Sequence, residues 1–245
     1  MTELQGVTFI DVDTEQSVHT LKDWGLYLRG YPVKSPPQPK WLTTDIPGSN
    51  GEINYTKALS GRVSFHVRTL HMELMSATVP EKWDSQYSDV LDFLAGKHVH
   101  IIFDSDADYY YDAWTYAVSV TPERTRQIIT IETRAYPYKL ELHSSLEDWL
   151  WDPFNFEDGI VREYKNLTVD GTLELNVVGR RMEVVPSFIV SGTGGLGLTV
   201  TYKGNSYQLS DGTNRVVSID LPEGDNILTF TGSGTVSVDY RGGRL

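Results

Sequence analysis

Leu196-Gly197-Leu198-Thr199-Val200-Thr201-Tyr202 and Asn205-Ser206-Tyr207-Gln208-Leu209 decide the fold class. Both are short runs with β-branched and aromatic residues, and Gly204-Asn205 stands at the break between them. Glycine and asparagine reach the positive φ that a tight reversal needs. Similar runs recur at 160–163, 172–177, 187–191, 215–221, 226–231 and 234–240, punctuated by Asp-Gly and Glu-Gly-Asp. Many short strands with regular turn signals read as a β-sandwich or jelly roll. No repeat period is long enough for a solenoid.

Upstream of these runs the composition changes. Residues 1–138 hold 7 glycines and residues 139–245 hold 14, while prolines and aromatics favour the first part. Two units are expected, 1–138 and 139–245, meeting near Tyr136-Pro137. The first opens with Val7, Phe9 and Ile10, followed by a short strand candidate at Trp24-Gly25-Leu26-Tyr27-Leu28. Four prolines between Tyr31 and Pro39 exclude a central strand and a helix interior. That segment reads as an extended arm, closed by a turn at Pro47-Gly48-Ser49-Asn50-Gly51.

Alternation over 62–68 puts Val63, Phe65 and Val67 on one face of a predicted half-buried strand. Thr78-Val79-Pro80-Glu81 has the form of a capping box with proline in the first turn. Trp83, Tyr87, Val90, Leu91 and Leu94 follow at helical spacing, and Gly96 is a fitting stop. The pattern predicts one long helix over 79–95. Strands are expected at 98–103, 113–120 and 126–134, with Trp114, Tyr116, Val118 and Val120 sharing a face of the second.

The whole chain has 245 residues, 40% hydrophobic and 22% charged, ordinary for a globular protein large enough to bury a core. No apolar run approaches the roughly 18 residues of a membrane span. The acidic start, MTELQGVTFIDVD, does not read as a secretory signal. Cysteine is absent, which excludes disulfides, thiol catalysis and cysteine–zinc sites and fits synthesis inside a cell. Net charge is −12, with 12 Lys+Arg against 18 Asp+Glu in residues 1–138 and 9 against 15 in the rest. Specific nucleic-acid binding needs clustered cations and is not expected.

Several motifs suggest chemistry until their context is weighed. Gly192-Thr193-Gly194-Gly195-Leu196-Gly197 matches GxGxxG, but a strand follows where a dinucleotide site needs a helix, so a hairpin turn is expected. Asp104-Ser105-Asp106-Ala107-Asp108 begins like a calcium loop but lacks the glycine at position 6 and the glutamate at position 12, and reads as a solvated hairpin loop. His98 and His100 face one side of a strand without a visible third ligand; His66 and His71 are no better. Glu147, Asp148 and Asp152 among Trp149, Trp151, Phe154 and Phe156 offer carboxylates that a glycosidase could use; the plainer reading is a linker whose aromatics pack between units. No GxSxG, Walker loop or HExxH is present. No catalytic, cofactor-binding or metal residue is assigned.

The order of features resembles the distal tail protein family of long-tailed, non-contractile phages and prophages of Gram-positive bacteria. Trp24-Gly25-Leu26, the arm through Pro36-Pro37, Pro47 to Ile53, the strand ending in Arg68, the helix Tyr87 to Gly96 and Asp108-Tyr109-Tyr110-Tyr111 carry the resemblance in the first unit. Trp151-Asp152-Pro153-Phe154 and the closing stretch from Val236 to Leu245 carry it in the second. The resemblance implies a first domain that is a β-sandwich with a helix and an arm, six copies of which close into a ring. It implies a galectin-like second β-sandwich outside the ring. The ring would join the tail tube to the tail-tip hub and to a tail fibre or receptor-binding protein at the distal tip of the virion, after synthesis in the bacterial cytoplasm. DNA would pass through the centre, and an acidic bore would not hold it. The family has no catalytic residues, so none is carried over.

On this reading the arm around 31–47 and the hairpin region 104–113, with its four aspartates and three consecutive tyrosines, are expected to touch neighbouring copies. Two other readings stay open: a carbohydrate-binding module stacking sugar on Trp149, Trp151 or Tyr207, and a glycoside hydrolase using Asp148 or Asp152.

Overall fold

The computed structural model describes residues 4–48, 50–58, 61–76, 78–146 and 163–245. The chain is mainly β, with 53% strand and 10% helix. Two compact units divide it: one runs to Lys139 and takes Leu245 as well, the other is Leu140–Arg244. No helix of the described residues is long and apolar enough to cross a membrane.

The first unit contains β1 (Val7–Asp11), β2 (Ser17–His19), β3 (Leu26–Leu28), β4 (Val33–Lys34), β5 (Thr43–Asp45), β6 (Glu52–Asn54), β7 (Arg68–Ser76), β8 (His98–Phe103), β9 (Tyr109–Pro122) and most of β10 (Gln127–Glu141). Its main sheet runs β2-β1-β8-β9-β10-β7-β3, with β4 also paired to β7, while β5 and β6 form a separate two-stranded ladder. Period-two burial is clean in β7, where Arg68, Leu70, Met72, Leu74 and Ser76 point inward. Inward residues of β1, β3 and β7–β10 meet in one core with Val90 and Leu94 of the helix α2 (Trp83–Leu94). Of the predicted apolar stripe, Val90 and Leu94 are buried and Trp83, Tyr87 and Leu91 half-buried; Gln86, a polar residue outside that stripe, is buried beside them.

Three local expectations need correction. The helix lies where predicted, entered through a 3-10 turn at Pro80–Lys82, but no side chain caps that turn. The Thr78 hydroxyl instead donates to Gln86 Oε1 at 3.4 Å and lies 2.7 Å from Ser76 Oγ, so other side-chain partners replaced the cap. The alternation at 62–68 is not a half-buried strand of the sheet: the strand starts at Arg68, its buried face has the opposite parity, and Val67 is exposed. On β9, Trp114 and Tyr116 do share a face with Val118 and Val120. That face is exposed at the first two and packs against the core only at the last two.

The second unit contains β11 (Leu167–Gly179), β12 (Ser187–Ser191), β13 (Leu198–Tyr202), β14 (Asn205–Leu209), β15 (Gly212–Arg215) and β16 (Gly224–Asp239), with β17 (Gly243–Arg244) near the end. β16 pairs along one edge with β11, from Val236 opposite Leu167 to Gly224 opposite Gly179. Along its other edge β12 and β13 follow one another, Ser191 opposite Thr235 and then Thr199 opposite Thr231. β14 and β15 repeat this on the next edge, Leu209 opposite Leu198 and Gly212 opposite Val190. The rows β12–β13 and β14–β15 are therefore interrupted at the same level, alongside the continuous strands β11 and β16.

That level is a crease made of glycine: Gly171, Gly192, Gly194, Gly195, Gly197, Gly212 and Gly232 all have positive φ. At Gly197 an added Cβ would sit 2.2 Å from the Leu209 carbonyl oxygen, so strand β14 approaches too closely for any side chain. Across the crease Phe188 and Phe230, both fully buried, meet edge to face at 5.9 Å. The ribbons fold over and bury their own inner faces, as strands that bend between packed layers do.

The register corrects two further readings. Residues 226–231 and 234–240, expected as separate strands, are largely one strand, β16, continuous through Gly232. The strand expected at 215–221 lies earlier, at Gly212–Arg215, while Ile219 and Leu221 plug the core. The expected strand at 160–163 falls largely outside the described residues. The unit boundary has a local cause. Glu141, 8% exposed, accepts from Arg180 Nε and from the Gly242 amide, both at 3.0 Å, and Ser145 Oγ bridges Val238 O and the Tyr240 amide at 2.8 Å each.

Candidate functional site

The arm is double. Its outgoing limb starts at β4, with Val33 opposite His71. Outward from there the Ser35 amide donates to Thr69 O, His66 to Gln38 O and Lys40 to Ser64 O, and Pro39 bridges Phe65. The ladder then changes register and ends in β5 and β6, Thr43 opposite Asn54 and Asp45 opposite Glu52. The prolines, which cannot donate, leave these hydrogen bonds to their neighbours. Thirteen residues from Val33 to Asp45 at about 3.3 Å each span at most roughly 40 Å. Sequence reasoning found the outgoing limb and missed the return; the turn at Pro47–Gly51 was the signal, because it joins β5 to β6.

The arm is also where large apolar side chains lie uncovered. Tyr31 is 84% exposed and Trp41 63%, and Leu42, Ile46, Ile53, Tyr55, Val33 and Val67 are exposed too. Fully burying such a side chain contributes about 1.5–3 kcal/mol. Covering five of them would supply on the order of 10 kcal/mol, comparable with the cost of association.

The hairpin region 104–113 behaves differently from its expectation. Tyr110 and Tyr111 are 8% and 4% exposed, so they are not an uncovered patch. β9 already begins at Tyr109: Tyr111 points into the core and packs on Phe103 at 5.9 Å, while Tyr110, on the opposite face of the strand, is covered by His100 at 4.3 Å. The aspartates are not a freely solvated loop either. Asp104 accepts from the Gly6 amide at 2.7 Å and lies 3.1 Å from His19 Nε2. Both oxygens of Asp106 take Lys139 Nζ, at 3.0 and 2.7 Å.

The other candidates resolve into local contacts. His98 hydrogen-bonds Asp112 and stacks on Trp114 at 4.8 Å, and its ring lies 6.3 Å from that of His100. His71 lies 3.3 Å from Glu132. No group of three or more potential metal ligands occurs among the described residues. The GxGxxG segment is neither a dinucleotide loop nor the expected hairpin turn: β12 and β13 lie on the same edge of β16 and do not pair with each other. Thr193 donates to Asp211 at 2.8 Å and accepts from the Gly197 amide at 3.0 Å. Tyr207 packs against the second core, half-buried. Glu147, Asp148, Trp149, Trp151, Asp152, Phe154 and Phe156 lie outside the described residues.

A two-unit β architecture with a long double arm can be compared with known structures. The fold is shared with a phage adsorption protein. Over 98% of this chain and 99% of the other, the structure is similar to the crystal structure of the SPP1 Dit protein, with TM-score 0.61 and 11% identity. That protein is described as a paradigm of the hub adsorption apparatus in phages that infect Gram-positive bacteria. No family model matches the sequence, and no curated protein sequence matches it.

Proposed function

We propose that this chain is a structural component of a phage tail tip, not an enzyme. In this reading residues 1–138 form a head-to-tail ring of six copies that joins the tail tube to the baseplate hub. Residues 139–245 stand as a galectin-like sandwich facing a fibre or receptor-binding protein, and DNA passes through the ring. The observation that carries the reading is end-to-end similarity to the Dit structure, arm and second unit included. The uncovered apolar arm supports it independently. A ring needs one patch on each copy to meet a different patch on the next, and a pre-extended arm loses little entropy on docking.

The test is the mass of the assembled species. Light scattering on concentrated chain, alone and with the tail-tube partner, should give six times 27.6 kDa, with sixfold rings in electron micrographs. A monomer under both conditions would sink the ring.

A further inference from the structure

Where the arm leaves the body, three cations converge on aromatic rings. Lys34 Nζ, from the outgoing limb, lies 4.2 Å from the Phe103 ring centre and 5.5 Å from that of Tyr111. Arg68, at the foot of the return limb, lies 5.3 Å from the Tyr111 centre. Lys139, at the end of the first unit, lies 4.0 Å from the Tyr109 centre. The carboxylate in this group is Asp106, and Lys139 takes both of its oxygens.

Arg68 is 7% exposed. Its Nε donates to Ser35 O at 3.0 Å and its Nη1 to Pro137 O at 3.5 Å, while Nη2 has no partner among the described residues. Neither Lys34 nor Arg68 has a carboxylate within ion-pair distance among those residues. Burial pushes the Lys34 ammonium below its ordinary pKa, and Lys139 and Arg68 push it the same way against the opposing pull of Asp106. In a chain of net charge −12, this is a desolvated spot with surplus positive charge. Ring faces offset part of the cost of such charges, but an oxyanion offsets it better, through charge-assisted hydrogen bonds.

We propose that this cluster is an oxyanion site, in which Lys34 Nζ and the Nη2 edge of Arg68 hold the oxygens of one carboxylate or phosphate group. Two sources share that chemistry: a free anion, and an acidic side chain of a second copy of this chain. The site does not depend on the ring reading.

Thermal unfolding of the full chain separates the possibilities. In sodium phosphate at low chain concentration, against chloride at equal ionic strength, a free-anion site raises the midpoint, and the rise follows the logarithm of phosphate concentration once that exceeds the dissociation constant. A carboxylate from a second copy instead makes the midpoint in chloride rise with chain concentration. Under either source Lys34→Met, which keeps the aliphatic stem, abolishes the response or weakens the affinity at least about tenfold. Lys57→Met, at an exposed arm position, leaves it unchanged. Equilibrium dialysis of the unaltered chain against phosphate, and its sedimentation at rising concentration, give the same reading if the Lys34 variant fails to fold. Absence of both responses, or equal responses in the Lys34→Met chain, overturns the proposal.

Discussion

The arm of the first unit and the crease of the second are both places where chain runs out and returns, and they use opposite chemistry. The arm is stiffened by proline, paired mainly with itself, and leaves Trp41, Leu42, Ile46 and Tyr55 uncovered. The crease is loosened by glycine and turns inward, so that Phe188, Val200, Phe230 and Val236 cover one another. One region is complete within its own unit and the other is not. That difference is one of exposure: the crease covers its own apolar side chains and the arm does not.

The comparison breaks first, and hardest, at the crease. Phe230→Ala should cost about 4 kcal/mol, because a fully buried ring facing Phe188 leaves a cavity. Hydrogen exchange should quicken in 187–191 and 198–209 while β8 stays protected; uniform quickening would mean that the two units do not unfold separately. Gly197→Ala should cost about 2–3 kcal/mol, since its φ of +73° and the Leu209 carbonyl both oppose a side chain. Wild-type stability in that variant would show that the crease does not need its glycine.

A pH test sharpens the first unit alone. The buried Asp11 carboxylate takes Lys97 Nζ at 2.7 Å, which, with the Asp13 and Thr14 amides, outweighs desolvation and holds its pKa below the usual 3.8. A carboxyl depressed in the folded state stabilises above the unfolded value, and that contribution is lost as pH falls through the lower folded value. Asp11→Asn should therefore flatten the acid limb of the stability profile; an unchanged limb would remove Asp11 from the account. The smallest effect on stability is expected at the arm. Trp41→Ser with Leu42→Ser should stay within about 0.5 kcal/mol of wild type, because both side chains are exposed, yet should reduce the mass of the assembled species. A large loss of stability in the monomer would show that the arm folds onto its own body.

Much of this was legible in order along the chain. The helix stands on its spacing of Val90 and Leu94 and its stop at Gly96. β8 was delimited correctly because His98–Phe103 is a short apolar alternation ended by an acidic turn. The failures share a cause. Thr78 engages Ser76 and Gln86 instead of capping the first turn. The 62–68 alternation belonged to an arm limb, paired with the outgoing limb and touching the body through Phe65 on Tyr138, and not to the sheet. Tyr110 and Tyr111, conspicuous as a cluster, were absorbed by rings and cations contributed from elsewhere.

The amino-acid order determined the β class, the glycine contrast between the halves, the helix, the extended proline limb and the exclusion of thiol chemistry. These are properties of period and backbone freedom, set within a few neighbouring residues. The tertiary structure decided which strands share the crease, that the arm is two-stranded, and that Lys34, Arg68 and Lys139 converge on the rings of Phe103, Tyr109 and Tyr111. Those residues are up to 105 positions apart in the chain. Closing such a loop costs only slowly more with length, so local sequence carries almost no signal of which distant residue closes it. Burial and register make that choice, and they exist only once the sheet is assembled.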